Sequence, residues 1–348
     1  MADNTTIHIP SFAKLISVYD NTIYIQSHLL GFAFNQYHED FLVDFFCAGY
    51  QGHPIVIIAS DGENLIRRGI VSFFEELCQQ GVLNRERVTF MSHDLDWNSS
   101  FKHKKLGWHP AFTCQDRYVE LGNIPAIDSD AKFVGCLISR FTPSRLKLAY
   151  QIDKTFPRDN FLTFRNINDI NDINGSGKNF YSMIDPSIDV IYQGYQDQLN
   201  WLASKKFDVD NTLVNTGFAE GFLPWEEACK VYYALWPKYH IECVTETDIF
   251  SNSFLTEKTA KCLISAKPFV VMSGPGSLKR LQDIGFTTYS SVIDESYDLE
   301  TMPHSRMTAM MQSLNALYHS PDKQPKINQL NDIAKHNQSI YGKICRKI

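Results

Sequence analysis

None of the eight cysteines is spaced from another as CxxC. A structural zinc site of the common kind is therefore not expected. Several cysteines sit inside apolar runs, as Cys136 does in Phe133-Val-Gly-Cys-Leu-Ile138. That setting suits reduced, buried thiols in a cytosolic protein. Long Lys/Arg runs are absent and the formal net charge is −6, so the basic face of a nucleic-acid binder is not expected. Lys102-His103-Lys104-Lys105 is a local basic cluster only. No apolar stretch approaches the ~20 residues a membrane helix needs. The opening Met1-Ala-Asp-Asn-Thr-Thr6 carries no Lys or Arg, so no secretory leader is expected and the compartment expected is the cytoplasm. Two nucleotide fingerprints are missing as well. Ser273-Gly-Pro-Gly-Ser277 has Lys279 where the third glycine of GxGxxG belongs. Gly175-Ser-Gly-Lys178 has the wrong glycine spacing for a P-loop and is followed by Asn179.

What is present is an alternation of strand and helix signals over 348 residues, a length suited to two domains. In the first third, 22–26, 54–59 and 87–91 read as strands, and 37–48 and 65–80 as helices. The run Pro54-Ile-Val-Ile-Ile-Ala59 is apolar throughout, as a strand covered on both faces would be. Residues 121–130 read as a linker. A second series comes next, with strands at 132–138, 161–164, 240–245, 268–272 and 286–289. Its helices fall at 143–152, 224–236, 277–284, 307–318 and 327–344, with another opened by Thr256. The Asn/Ile/Asp-rich stretch 166–175 reads as a surface loop. The fold class expected is α/β, with two doubly wound Rossmann-like domains, 1–125 and 126–348, facing a cleft.

Three segments of the second half carry chemistry. Thr256-Glu257-Lys258 opens a helix. Thr256 suits an N-cap, Lys258 adds a point charge for a phosphate oxygen, and Glu257 can accept from sugar hydroxyls. The alternative is a capped helix with solvated charges. Gly274 and Gly276 join a strand to a helix and let a ligand approach the backbone, or simply make a tight turn. Arg140 and Arg145 flank the helix start after Lys132–Ile138, where a guanidinium fork can clamp a pyrophosphate; surface arginines are the alternative.

These segments occur in one order with Glu246-Thr247, Pro268-Phe-Val-Val271, Gly285-Phe286, Asp294-Glu-Ser-Tyr-Asp298 and Ala334-Lys-His-Asn-Gln338. The combination resembles the donor half of glycosyltransferase-like proteins of bacteriophages and large DNA viruses. Phe254-Leu-Thr-Glu-Lys-Thr259 is similar to the donor motif of alpha-1,3-fucosyltransferases, which are inverting, metal-independent enzymes of the GT-B fold. The likeness spans about 132–340 and is densest over 244–298. It implies that Lys258 and Arg145, with Arg140 as a second candidate, hold the donor diphosphate. It implies that Glu257 binds ribose or sugar hydroxyls, that Glu246 lines the same pocket, and that Asp294, Glu295 and Tyr297 face or brace it. The first 130 residues carry no matching motif.

The activity expected is transfer of a sugar from a nucleotide-diphosphate sugar, used as co-substrate with no other cofactor and no metal. Without a metal, cations and helix N-termini must meet the leaving-group charge. Inversion needs a base for the acceptor proton, and Asp61 and Glu63 in Ser60-Asp-Gly-Glu-Asn64 are the candidates, just past a buried strand. Two other readings stay open. Asp94-Leu-Asp96 has the spacing of a cation-binding pair in metal-dependent GT-A enzymes, and the chain can also be a non-catalytic nucleotide- or glycan-binding module. A glycan, a protein, a small molecule or a modified DNA base is an acceptor compatible with the sequence.

Overall fold

The structure is a computed structural model that describes residues 16–19, 21–26, 42–47, 52–58, 70–92, 97, 99–105, 126–138, 142–164, 194–205, 234–246, 249 and 255–347. The chain divides into two compact units, 1–113 and 114–348.

The first unit holds a five-stranded sheet of β1 (Ile16–Tyr19), β2 (Thr22–Gln26), β3 (Ile55–Ile58), β4 (Val88–Ser92) and β5 (Lys102–Lys105), in that spatial order. β1 runs antiparallel to β2; the other neighbours are parallel. The strands advance without reversal. The four parallel strands give this half the mixed α/β, Rossmann-like character expected of it. Burial alternates along them. Ile23, Ile25, Ile55, Ile57, Val88 and Phe90 lie in one core with Phe46 and with α1 (Ile70–Gln79). Val56 and Ile58 are only half-buried, which corrects the expectation of a strand enclosed on both faces.

Phe46, Phe74, Phe90 and Phe101 form an edge-on and tilted chain with centroids 5.2–6.1 Å apart. Full burial of each is worth about 1.5–3 kcal/mol. α1 stops at Gly81, whose φ of 77° suits a residue without Cβ, while Val82 N–H closes back on the Leu77 carbonyl at 2.9 Å. The basic run Lys102–Lys105 is the last strand of the sheet among the described residues. Lys102 and Lys104 are exposed there, and exposed lysines discourage further pairing. Lys102 is also spoken for: its Nζ lies 3.2 Å from the Glu86 carboxylate.

The second unit has β6 (Lys132–Ile138), β7 (Asn160–Phe164), β8 (Tyr239–Thr245) and β9 (Phe269–Met272), in the order β7-β6-β8-β9 and all parallel. Here the order does reverse. The chain leaves β6 for β7 on one side and later takes up β8 and β9 on the other. α2 (Pro143–Thr155) packs on β6 and β7, and α4 (Glu257–Ile264) packs on β8. β9 is buried at every position and β8 at all but one. α3 (Tyr195–Ser204) packs on α2, α6 (Pro303–Tyr318) also packs on α2, and α7 (Lys323–Lys347) packs on α4. α5 (Ser277–Ile284) ends at Gly285, with φ 106°.

Close packing sets one glycine of the sheet. A Cβ on Gly135 would stand 2.4–2.7 Å from the Tyr239 ring. The strand expected at 286–289 is not formed. Asn337 of α7 replaces a neighbouring strand instead, accepting from Thr287 N–H at 2.9 Å and donating to the Thr287 carbonyl at 2.7 Å. Gln338 donates to the Ile264 carbonyl at the end of α4, so the 334–338 segment braces α4.

Candidate functional site

In an open α/β sheet, ligands collect at the carboxyl ends of the strands where the strand order reverses. In the second unit that point lies between β6 and β8. Beyond β6 the chain enters α2. Thr142 caps this helix by accepting from Arg145 N–H, and Pro143 fixes its first turn. Arg145 is 3% exposed, with Nε donating to Thr245 Oγ1 at 2.9 Å and Nη2 reaching the Thr245 carbonyl at 3.5 Å. A residue just past β6 is thus tied to the last residue of β8.

Directly after β8 stands Glu246, fully buried. Its carboxylate accepts from Thr256 N–H at 2.9 Å, Thr256 Oγ1 at 2.5 Å and Thr259 Oγ1 at 2.7 Å. A carboxylate there complements the positive end of α4 and rigidifies its first turn. Thr256 is the N-cap, accepting from Lys258 N–H. Lys258 is 20% exposed. Its Nζ folds back to Thr256 Oγ1 at 3.1 Å and stands 3.8 Å from Glu246 Oε2. Arg145, Thr245, Glu246, Thr256 and Lys258 are therefore brought together, and Glu246 acts as a brace beneath the lysine.

Gly274 and Gly276 lie at the next helix start, after β9. Gly276 adopts φ 78°, Ser277 Oγ donates to the Gly274 carbonyl, and Gly276 N–H donates to the Asp298 carbonyl. Asp298 Oδ2 accepts from Leu278 N–H at 3.1 Å and Lys279 N–H at 3.3 Å. The protein's own carboxylate thus occupies the first turn of α5. Burial pushes the Asp298 carboxyl up, against the pull of those amides.

Asp294, Glu295 and Tyr297 brace the same loop. Asp294 accepts from Ser296 N–H, which holds its carboxyl low. Glu295 accepts from Tyr289 N–H at 2.6 Å, yet burial lifts it to about 7. Tyr297 is buried. Asp61, Glu63, Asp94, Asp96 and Arg140 lie outside the described residues. Glu257 is described as the first residue of α4 by its backbone alone.

Several buried polar residues had no place in the sequence reading. Arg306, at the start of α6, donates to the carbonyls of Glu300 and Ile249, which ties the loop after β8 to α6. Lys267 is buried against Trp236 and Tyr239, with Nζ 4.7 and 4.1 Å from their ring centroids. It donates to the carbonyls of both residues, and burial lowers it to about 7. Glu242, on β8, is buried and lifted by burial to about 7. The available signal was a lone charge inside an apolar strand or just before one.

Among the described residues no three His, Cys, Asp or Glu side chains converge as a metal site, and no helix is long and apolar enough to cross a membrane. The chain matches no protein-family model, no curated protein and no solved structure.

Proposed function

We propose that the protein is a glycosyltransferase that uses a nucleotide-diphosphate sugar, inverting and independent of metal. One observation carries the reading. Arg145 and Lys258, from segments 113 positions apart, meet the carboxyl ends of β6 and β8 at the reversal of strand order, beside a helix N-terminus. Two cations and a helix start suit the two phosphates of such a donor.

In this reading Lys258 and the start of α4 take up charge on the departing nucleotide diphosphate, where electrostatic help lowers the barrier most. Arg145, whose Nε and Nη2 are held by Thr245, adds a fixed positive charge beside the diphosphate. Glu246 keeps Lys258 and the cap of α4 in place without touching the donor. Glu257 is the candidate for ribose or sugar hydroxyls. The acceptor proton requires a separate base, for which Asp61 and Glu63 are the candidates.

The test is turnover of UDP-, GDP-, CMP- and dTDP-linked sugars, scored by release of the nucleotide in excess chelator. Release of one nucleotide by the wild type, with loss of at least tenfold in Lys258→Ala while the fold stays intact, supports the reading. Abolition by chelator would move the chemistry to Asp94 and Asp96. Nucleotide binding without turnover would make the protein a binding module.

A further inference from the structure

The central strand pair of the second sheet is only partly laced. Pairing between β6 and β8 ends at Gly135–Glu242. β6 continues with β7 to Ile138–Phe164, and β8 continues with β9 to Thr245–Met272. So Cys136–Ile138 and Cys243–Thr245 lie side by side without a ladder, at the edge that carries Arg145, Glu246 and Lys258. Within the sheet the Glu242 side chain stands in for it, and beyond the strand ends Arg145 bonds Thr245. Its Oε1 accepts Leu137 N–H in a long bond of 3.3 Å. Its Oε2 is buried, and the residue as a whole is 2% exposed.

The surroundings favour a neutral acid. The titratable groups around Glu242 are Cys136 of β6, Tyr239 and Cys243 of β8, Lys261 and Cys262 of α4, and Lys267 of the segment before β9. Arg145 of α2 acts on the same thiol, Cys136. Burial outweighs the help of Leu137 N–H, the Tyr239 hydroxyl and the two lysines, and raises the acid from its ordinary 4.5 to about 7.

We propose that Glu242 is a proton-controlled clasp across the unlaced ends of β6 and β8, and that it positions the two cations that come after those strands. Closed, the clasp is neutral and dry. When the ends part, water reaches the carboxyl and it ionises as an ordinary acid does. Parting releases a proton, so it becomes easier as pH rises from about 4.5 to about 7 and levels off above. Arg145 is held just past β6 and bonds Thr245 at the end of β8, and Lys258 leans on Glu246 directly after β8, so parting of the strand ends breaks the Arg145–Thr245 tie and moves the two cations apart. This last step rests on the function proposed above; the clasp itself does not.

The test is amide hydrogen exchange by NMR on the full chain, with Leu137 and Ile241 followed from about pH 5 to pH 8 and intrinsic rates divided out. Leu137 protection is expected to fall at least tenfold between about pH 5 and 7. Ile241, paired with Val134 in the laced part, should not track it. Glu242→Gln keeps the acceptor and cannot ionise, so its Leu137 protection should be flat. A flat wild-type profile, an Ile241 profile parallel to that of Leu137, or unchanged pH dependence in Glu242→Gln would each overturn the clasp. If the variant fails to fold, the two wild-type profiles still decide. Binding of inorganic pyrophosphate over the same range separates the two claims. Weakening with pH in the wild type but not the variant links clasp to site. No pyrophosphate binding at any pH, with the Leu137 profile as expected, leaves the clasp standing and removes the donor site.

Discussion

α4 and α5 begin at the same edge of the same sheet, each after a buried parallel strand, yet their first turns are furnished differently. At α5 the Asp298 carboxylate enters the turn and takes the N–H groups of Leu278 and Lys279. Its lysine, Lys279, is 66% exposed and pairs along the helix with Asp283. At α4 the carboxylate of Glu246 stops one step short. It holds the cap residue Thr256 and the Thr259 hydroxyl, and its lysine leans back over it, 20% exposed. A Gly-rich turn draws attention as a phosphate loop, but an internal acid can occupy the very groups a phosphate would use. The helix with the better claim to a ligand is the one whose acid supports the cap and whose cation stays at the rim.

Substitutions can break that contrast. Glu246→Ala has the largest expected effect. It strands three buried donors beneath Lys258, and a loss of about 3–5 kcal/mol is expected by chemical denaturation. Asp298→Ala should cost less, about 1–3 kcal/mol, because it uncaps one turn and leaves the donor cluster alone. Nucleotide affinity, measured at a temperature where the variant is folded, should be unchanged. Equal losses of affinity in both variants would erase the distinction between the two helix starts. The smallest effect concerns pH. Glu295 lies near Asp298 and is lifted to about 7, so its neutral form stabilises the fold fully below about 4.5 and that contribution is lost as pH rises through 7. Glu295→Gln should therefore gain stability relative to wild type across that window, read as a difference in melting temperature that widens with pH. A constant difference would mean that the Glu295 carboxyl is not raised.

Much of this second unit was legible from local signals. Lys132–Ile138 reads as a strand from its apolar run, Thr256 as a cap, and Ser277–Ile284 as a helix closed by Gly285, because each signal acts over a few residues. No local rule puts Arg145 on the last residue of β8 or Lys258 over the residue after it. The failures are non-local. Phe286–Tyr289 has strand residues, but its partner is an Asn337 side chain 50 positions away. The enclosed reading of Pro54–Ala59 failed because the coverage of a strand depends on strand order. Glu242 looked like one more strand residue because nothing local says that the ladder beside it stops. That Glu246 braces the start of α4 depends on Thr256 and Thr259, ten and more positions on.

The comparison rests most directly on two lysines of one type at two helix starts. Calorimetric titration of UDP, GDP and dTDP into the wild type, Lys258→Ala and Lys279→Ala, in excess chelator, sets them against each other. Tight binding of one nucleotide by the wild type is expected, weakened at least tenfold in Lys258→Ala and unchanged in Lys279→Ala. No binding by the wild type, or equal effects of the two substitutions, would contradict the assignment of the donor site to the start of α4.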